Sequence, residues 1–173
     1  MSKYLSIIRD EVVKMMDKRN RTACFTGHRI LQEPENVIAD RLTVVLKELI
    51  AQGYCYFGAG GARGFDSIAA RVVLALKANY PHIHLILVLP FYNQYEVEQG
   101  WSSKEIEEYN FLRKSASKVV HLQETYSRGC YYRRNEYLVN GSSLCIAYQY
   151  KDTGGTAYTI KYAASQGIKI LKL

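Results

Sequence analysis

The sequence predicts an α/β protein: a Rossmann-like three-layer sandwich with a mostly parallel sheet and helices on both faces. Three observations predict it. Short β-rich runs alternate with helical patterns along the chain. One run, His82 to Leu89, is unbroken until Pro90 stops it, which suits a parallel strand buried on both faces. Two glycine-rich turns, near residues 58–64 and 153–156, each follow a strand-like run and open a helix. That is where open α/β sheets hold ligands.

In order, Leu5, Ile8, Val12 and Met15 or Met16 recur at helical spacing, predicting an amphipathic helix over 4–17 that packs on the core. Thr22 to Thr26 reads as the first strand, running into Gly27-His28-Arg29. Residues 36–52 read as a helix with Val37, Leu42, Val45, Leu46 and Leu49 buried and Gly53 as its stop. Tyr54–Phe57 reads as a strand, 66–79 as a helix, and 82–89 as a strand. Ser102 with Glu105 three residues on forms a capping box for a helix to about Ser115. Ser117–Leu122 reads as a strand, 132–140 as a helix and Leu144–Tyr148 as a strand. Residues 155–166 read as a helix and Ile168–Leu171 as the last strand. The expectation is one domain over residues 1–173, with residues 1–20 as an N-terminal helical extension.

A formal charge of +7 and a pI near 9.2 favour anionic partners such as nucleotide or nucleic acid. Cys24, Cys55, Cys130 and Cys145 form no C-x-x-C pair, which argues against zinc. They read as buried free thiols, implying a reducing, cytoplasmic setting. No apolar run approaches the roughly 20 residues that span a bilayer, and Arg9, Asp10 and Glu11 stand where a secretion signal would be apolar, so neither a secretion signal nor a membrane partner is expected.

Chemistry collects at the carboxyl ends of the strands. Gly58, Gly60, Gly61 and Gly64 surround Arg63, and Asp66 follows at a helix start. Such a turn offers backbone N–H groups and a positive dipole end to a phosphate. Arg63 could grip that phosphate with its planar fork, or be a solvated loop cation. Asp66 suits ribose hydroxyls or a plain N-cap. Thr26, Gly27, His28 and Arg29 end the first strand; Phe91 follows the third; Gly154, Gly155 and Thr156 open a late helix. Arg133, Arg134 and Asn135, taken alone, read as a solvated helix face. Arg63 stands where G-x-G-x-x-G needs its third glycine, which disfavours a dinucleotide fold, and no G-K-[ST] occurs. No cofactor is expected.

Thr26-Gly-His-Arg29, Gly60-Gly-Ala-Arg-Gly-Phe-Asp66, Pro90-Phe-Tyr-Asn-Gln94 with Trp101, Arg134-Asn135 and Gly154-Gly-Thr156 occur in the order seen in YpsA-like proteins. The chain thus resembles that family of the SLOG superfamily, the SMF/DprA and LOG group, over about residues 20–173. The resemblance implies a pocket for a nucleotide or nucleotide-derived, ADP-ribose-like ligand, with Arg134 and Asn135 among its residues. It also implies a homodimer or larger homo-oligomer. The Gly60–Asp66 run and Arg134-Asn135 resemble the DNA-processing branch, which implies single-stranded nucleic acid as an alternative partner. Gly155-Thr156 resembles the branch that hydrolyses cytokinin nucleotides, where P-G-G-x-G-T-x-x-E ends in a catalytic glutamate. Thr159 stands in that place, which counts against N-glycosidic hydrolysis. Binding without catalysis is therefore the leading expectation, with a nucleotide N-glycosidic hydrolase as the enzymatic alternative, in which Asp66 or Asp152 would have to substitute for the glutamate.

Overall fold

The computed structural model describes residues 2–173, with side chains from Ile7 onward. Its elements are α1 (Ser2–Asn20), β1 (Thr22–Gly27), α2 (Glu35–Ala51), β2 (Tyr56–Ala59), α3 (Phe65–Lys77), β3 (His84–Leu89), α4 (Gln94–Val97), α5 (Ser103–Ser115), β4 (Lys118–His121), α6 (Cys130–Asn140), β5 (Leu144–Tyr148), α7 (Gly154–Ser165) and β6 (Lys169–Lys172). The six strands form one sheet in the order β4-β3-β2-β1-β5-β6, parallel at every pair. The architecture is the predicted Rossmann-like sandwich.

The chain steps outward from β1 to β4, then crosses back to β5 beside β1. Right-handed crossovers therefore put α2, α3 and α5 on one face and α6 and α7 on the other. Each face has its own core. On one side Phe25, Phe57 and Leu87 meet Leu42, Leu46, Phe65, Val73 and Leu112. On the other, Cys24, Val88 and Cys145 meet Leu138, Val139 and Ala163. All four cysteines are buried and free. The reversal of direction falls between β1 and β5, where Thr26 pairs with Ala147 and Gly27 with Tyr148. In parallel sheets the crevice at such a reversal is the natural ligand position.

Two expectations need correction. The α2 stripe is rotated: Ile38, Leu42, Leu46, Leu49 and Ile50 are buried, while Val37 is 42% exposed. Helix α1 forms over Ser2–Asn20, longer than predicted, but none of its described side chains packs into either core. Ile8, Val12, Met15 and Met16 are 49%, 48%, 74% and 61% exposed. Leu5 lies outside the described side chains. The helix is tied down mainly at its C-terminal end, where the Thr22 hydroxyl donates to the Lys18 carbonyl and Lys18 Nζ sits 4.7 Å over the Tyr56 ring.

Candidate functional site

The site is assembled from backbone geometry upward. β2 delivers the chain into residues 60–64, and Gly64 adopts φ 74°, a left-handed conformation that L side chains rarely take. A Cβ there would collide with the Arg29 carbonyl. This close approach lets Phe65 N–H donate to the His28 carbonyl at 3.2 Å, stitching the β1 and β2 loops together. Gly60 is needed for a different reason. A Cβ on it would run into the Arg134 guanidinium and stand 2.8 Å from Asp66 Oδ2.

Arg134 and Asp66 are thus brought to one point from α6 and α3. Their exposures are only 5% and 7%. Arg134 Nη1 donates to the Gly60 carbonyl, and its Nε donates to Asn135 Oδ1 at 2.7 Å. Asp66 Oδ2 accepts from Ala62 N–H at 3.3 Å. Burial works against charge on both groups, pushing Asp66 up and Arg134 down, and each partly offsets this for the other. A guanidinium keeps its proton under any ordinary condition, so Arg134 is a fixed buried cation.

Beyond them opens a cleft of about 320 Å³, lined by Thr26, His28 and Arg29 from the β1 end, Asp66 from α3, Tyr131, Tyr132, Arg134 and Asn135 from α6, and Gly155 and Thr156 from α7. Helices α3, α6 and α7 all begin here, and none has a side-chain cap. Their first-turn N–H groups and positive dipole ends converge on the cleft. Arginine can only donate, so the Asn135 atom it meets is the carbonyl oxygen. The amide nitrogen therefore faces away from Arg134, and it lies 3.9 Å from where a Gly155 Cβ would stand. Asn135 thus presents a donor beside the open N-terminus of α7. His28 Nε2 accepts from Lys151 N–H at 3.3 Å, and its ring packs on Tyr150 with centroids 4.2 Å apart. Burial and the neighbouring Lys151 charge lower its pKa, favouring a neutral imidazole.

One wall was missed by sequence reasoning. Glu98, just beyond α4, accepts from Arg29 Nη2 at 3.2 Å and from Trp101 Nε1 at 2.9 Å. Burial first, and the Glu98 carboxylate second, push the Tyr131 phenol's pKa up. The segment 94–101 is thereby strapped over the β1 end. In the sequence Glu98 shares an aromatic run with Glu96, and nothing in the local pattern sets the two apart.

The sequence-predicted residues divide accordingly. Thr26, Gly27, His28, Arg29, Asp66, Arg134, Asn135, Gly155 and Thr156 all line the cleft. Gly60, Gly61 and Gly64 shape its backbone, and Gly154 turns into α7 with φ 84°. Gly58 lies in β2 under Leu138, outside the cleft. Phe91 is 1% exposed and packs on Tyr126 and Tyr131 behind the wall. Arg63 turns toward the strap: Nη1 donates to the Gly100 carbonyl at 2.6 Å and the guanidinium lies 5.5 Å from the Trp101 ring centroid. The solvated-face reading of Arg134 fails because the Gly60 loop buries it, whereas Arg133 is exposed as expected. Thr159 is 3% exposed and its hydroxyl donates to the Gly155 carbonyl at 2.8 Å. Among the described residues, no group of three or more His, Cys, Asp or Glu could hold a metal ion.

Residues 31–169, which carry every wall of this cleft except the β1 end, match the family model described as the YspA SLOG family (YpsA). The chain belongs to that family. The SPbeta prophage-derived protein YoqJ of Bacillus subtilis is 30% identical over 139 residues, covering 73% of the chain and 80% of YoqJ. A UPF0398 protein of Halalkalibacterium halodurans is 31% identical over 118 residues, 66% of the chain and 61% of that protein. The chain thus spans less than two thirds of this second relative. Among solved structures, DNA processing protein A from Helicobacter pylori, described for its single-stranded DNA binding mode, shares the fold. Its TM-score is 0.61 at 15% identity, over 92% of the chain and 67% of that protein. No helix of the described residues is long and apolar enough to cross a membrane.

Proposed function

We propose that this SLOG-family protein binds a nucleotide or nucleotide-derived ligand in the cleft at the β1–β5 reversal and does not transform it. The observation that carries this reading is the uncapped α7 N-terminus with Asn135 Nδ2 turned toward it. A phosphate there would accept from the N–H groups of Gly155 and Thr156, the Thr156 hydroxyl and the Asn135 amide. Arg29, 42% exposed at the rim, adds a mobile charge, and Arg134 a fixed one. Asp66, held by Ala62 N–H, is placed to accept from a ribose hydroxyl. Tyr131 and Tyr132 offer rings to the base or sugar.

The absence of catalysis is supported by the same groups. Asp66 is buried against a cation, and Asp152 is exposed and takes a bond from Gln149. Thr159 occupies the glutamate position and is spent on its own helix. No carboxylate stands free beside the cleft to assist a developing oxocarbenium ion.

Thermal unfolding against a panel of AMP, ADP, ADP-ribose and inorganic phosphate tests the reading. A ligand at 100 times its Kd should add about 2.7 kcal/mol of stability. The shift should vanish in Asn135→Ala and Thr156→Val. A panel without effect, or a shift that survives both variants, defeats it; release of free base on chromatography restores the hydrolase alternative.

A second reading, short single-stranded nucleic acid, is favoured by Tyr132, 47% exposed at the cleft rim, and by the charge of +7. It requires oligonucleotide affinity that falls steeply with salt.

A further inference from the structure

Glu98 fastens the middle of the 94–101 strap. The two ends of the strap have ties of their own: Gln94 Nε2 donates to the Gly61 carbonyl at 2.7 Å, and the Gly100 carbonyl accepts from Arg63. Between them Glu96, Val97 and Gln99 are exposed. Among the described residues, the bond from Arg29 to Glu98 is the one hydrogen bond that ties this stretch to the β1 end.

The docked strap carries features that disfavour it. Asn93, at φ 49°, is the only non-glycine residue with a positive φ among the described residues, and Gly100 stands at φ 85°. Left-handed turns thus mark both ends, where a segment pivots. Three buried polar atoms in or against the strap have no hydrogen-bond partner. They are Gln94 Oε1, Arg63 Nε and the hydroxyl of Tyr109, whose ring packs on Tyr95 and Trp101. Unpaired buried groups of this kind oppose the arrangement that buries them.

Arg29 has a choice of partners. It gives Glu98 a single hydrogen bond, and it also lines the cleft with Gly155 and Thr156. A phosphate there offers it more charge and three acceptor oxygens. Once Arg29 turns to that anion, the Trp101 N–H is the only direct partner left to Glu98. Arg134 is the other cation that acts on Glu98, but Gly60 and Asn135 hold it in place. A carboxylate with 9% side-chain exposure is strongly destabilised without its cation, and lifting the strap returns it to water.

We propose that the strap is a latch worked by the ligand: an anion that captures Arg29 releases Glu98 and frees residues 95–100 from the β1 end. The proposal rests on the ligand reading above for what captures Arg29, and it gives that site an output at the surface. The coupling is reciprocal, so a loosened strap binds ligand more tightly.

Trp101 is the only tryptophan of the chain and lies on the strap, so its fluorescence follows the latch. Arg29→Met removes the charge and keeps the length. Without ligand it should raise acrylamide quenching of Trp101 at least about twofold, because a locally opened segment exposes its side chains. Arg29→Lys keeps the charge and should stay near wild type. Arg29 lies at the rim, so both variants should keep the wild-type circular dichroism. Cleavage after Glu96 and Glu98 by a glutamate-specific protease should quicken in Arg29→Met alone. In the wild type, AMP should raise Trp101 quenching in step with its thermal shift. Wild-type quenching in Arg29→Met, equal quenching in the Met and Lys variants, or an AMP thermal shift with no change at Trp101 each overturns the proposal. The last of these leaves the ligand reading standing. If no member of the nucleotide panel shifts the melt, the ligand reading fails alone, and the latch stands or falls on the two Arg29 variants.

Discussion

Arg29 and Glu98 meet at 3.2 Å across 69 residues of chain, and their contact decides how the proposed ligand site is poised. The arginine best placed to reach an incoming phosphate is already held by a carboxylate on the strap. Glu98 has a side-chain exposure of 9%, Arg29 of 42%. The anchored partner is the acid, and the movable partner is the base.

Removing the acid's charge should release Arg29 toward the ligand. Glu98→Gln keeps an acceptor for Trp101 Nε1 but weakens the ion pair. Partly exposed pairs contribute up to about 1 kcal/mol, so nucleotide affinity should rise by up to roughly fivefold in titration calorimetry. Unchanged or weaker binding would mean the pair does not compete with ligand.

Gly60→Ala tests the contact between the loop and α6. The added methyl meets the Arg134 guanidinium and Asp66, neither of which has room to withdraw. Overpacking of this kind costs typically 1–3 kcal/mol, read from urea unfolding. Gly141→Ala is the control: its φ is −83° and a Cβ there meets nothing nearer than 3.5 Å. It should change stability by less than about 1 kcal/mol.

Burial raises the pKa of Asp66, so the folded state holds that proton more tightly than the unfolded chain. A raised carboxyl contributes stability at low pH and loses it as pH rises through the folded-state value. Wild type should therefore gain on Asp66→Asn as pH falls from neutrality toward the ordinary carboxylate range. Parallel urea titrations of the two proteins check this; a constant difference, or one that shrinks, contradicts it.

The start of α5 rests on a reciprocal pair. Glu105 N–H donates to Ser102 Oγ at 3.2 Å, and Ser102 N–H donates to Glu105 Oε2 at 2.7 Å. Ser102→Ala should cost about 1 kcal/mol in the same denaturation experiment. The bonds from Ser102 also hold Glu105 below the usual carboxylate range. That contribution is present above the unfolded pKa and lost as pH falls through the folded one, the opposite sense to Asp66.

Much of this was legible before the structure because it is written in local pattern. β5 matches its predicted span, and the capping box at Ser102 is present as read. The failures share a cause in tertiary contact. β2 begins at Tyr56, two residues late, because the Cys55 and Tyr56 N–H groups both go to the Arg21 carbonyl rather than to a continuing ladder. Helix α4 has four residues and enters through Asn93 at φ 49°, too short to leave a period. Arg134 sits in a polar run that reads as solvent-facing, and only a carbonyl 74 residues earlier buries it. The α1 stripe was correct as a period, yet a period does not say which surface will receive it.

The order of strands leaves β4 and β6 as the margins of the sheet, and both are only four residues long. Lys118 stands at the start of one; Lys169 and Lys172 bracket the other. Another copy adding its own strand to either margin would have to place charge against charge while ordering few hydrogen bonds. Short strands and edge lysines thereby discourage a neighbouring molecule from extending the sheet at either margin.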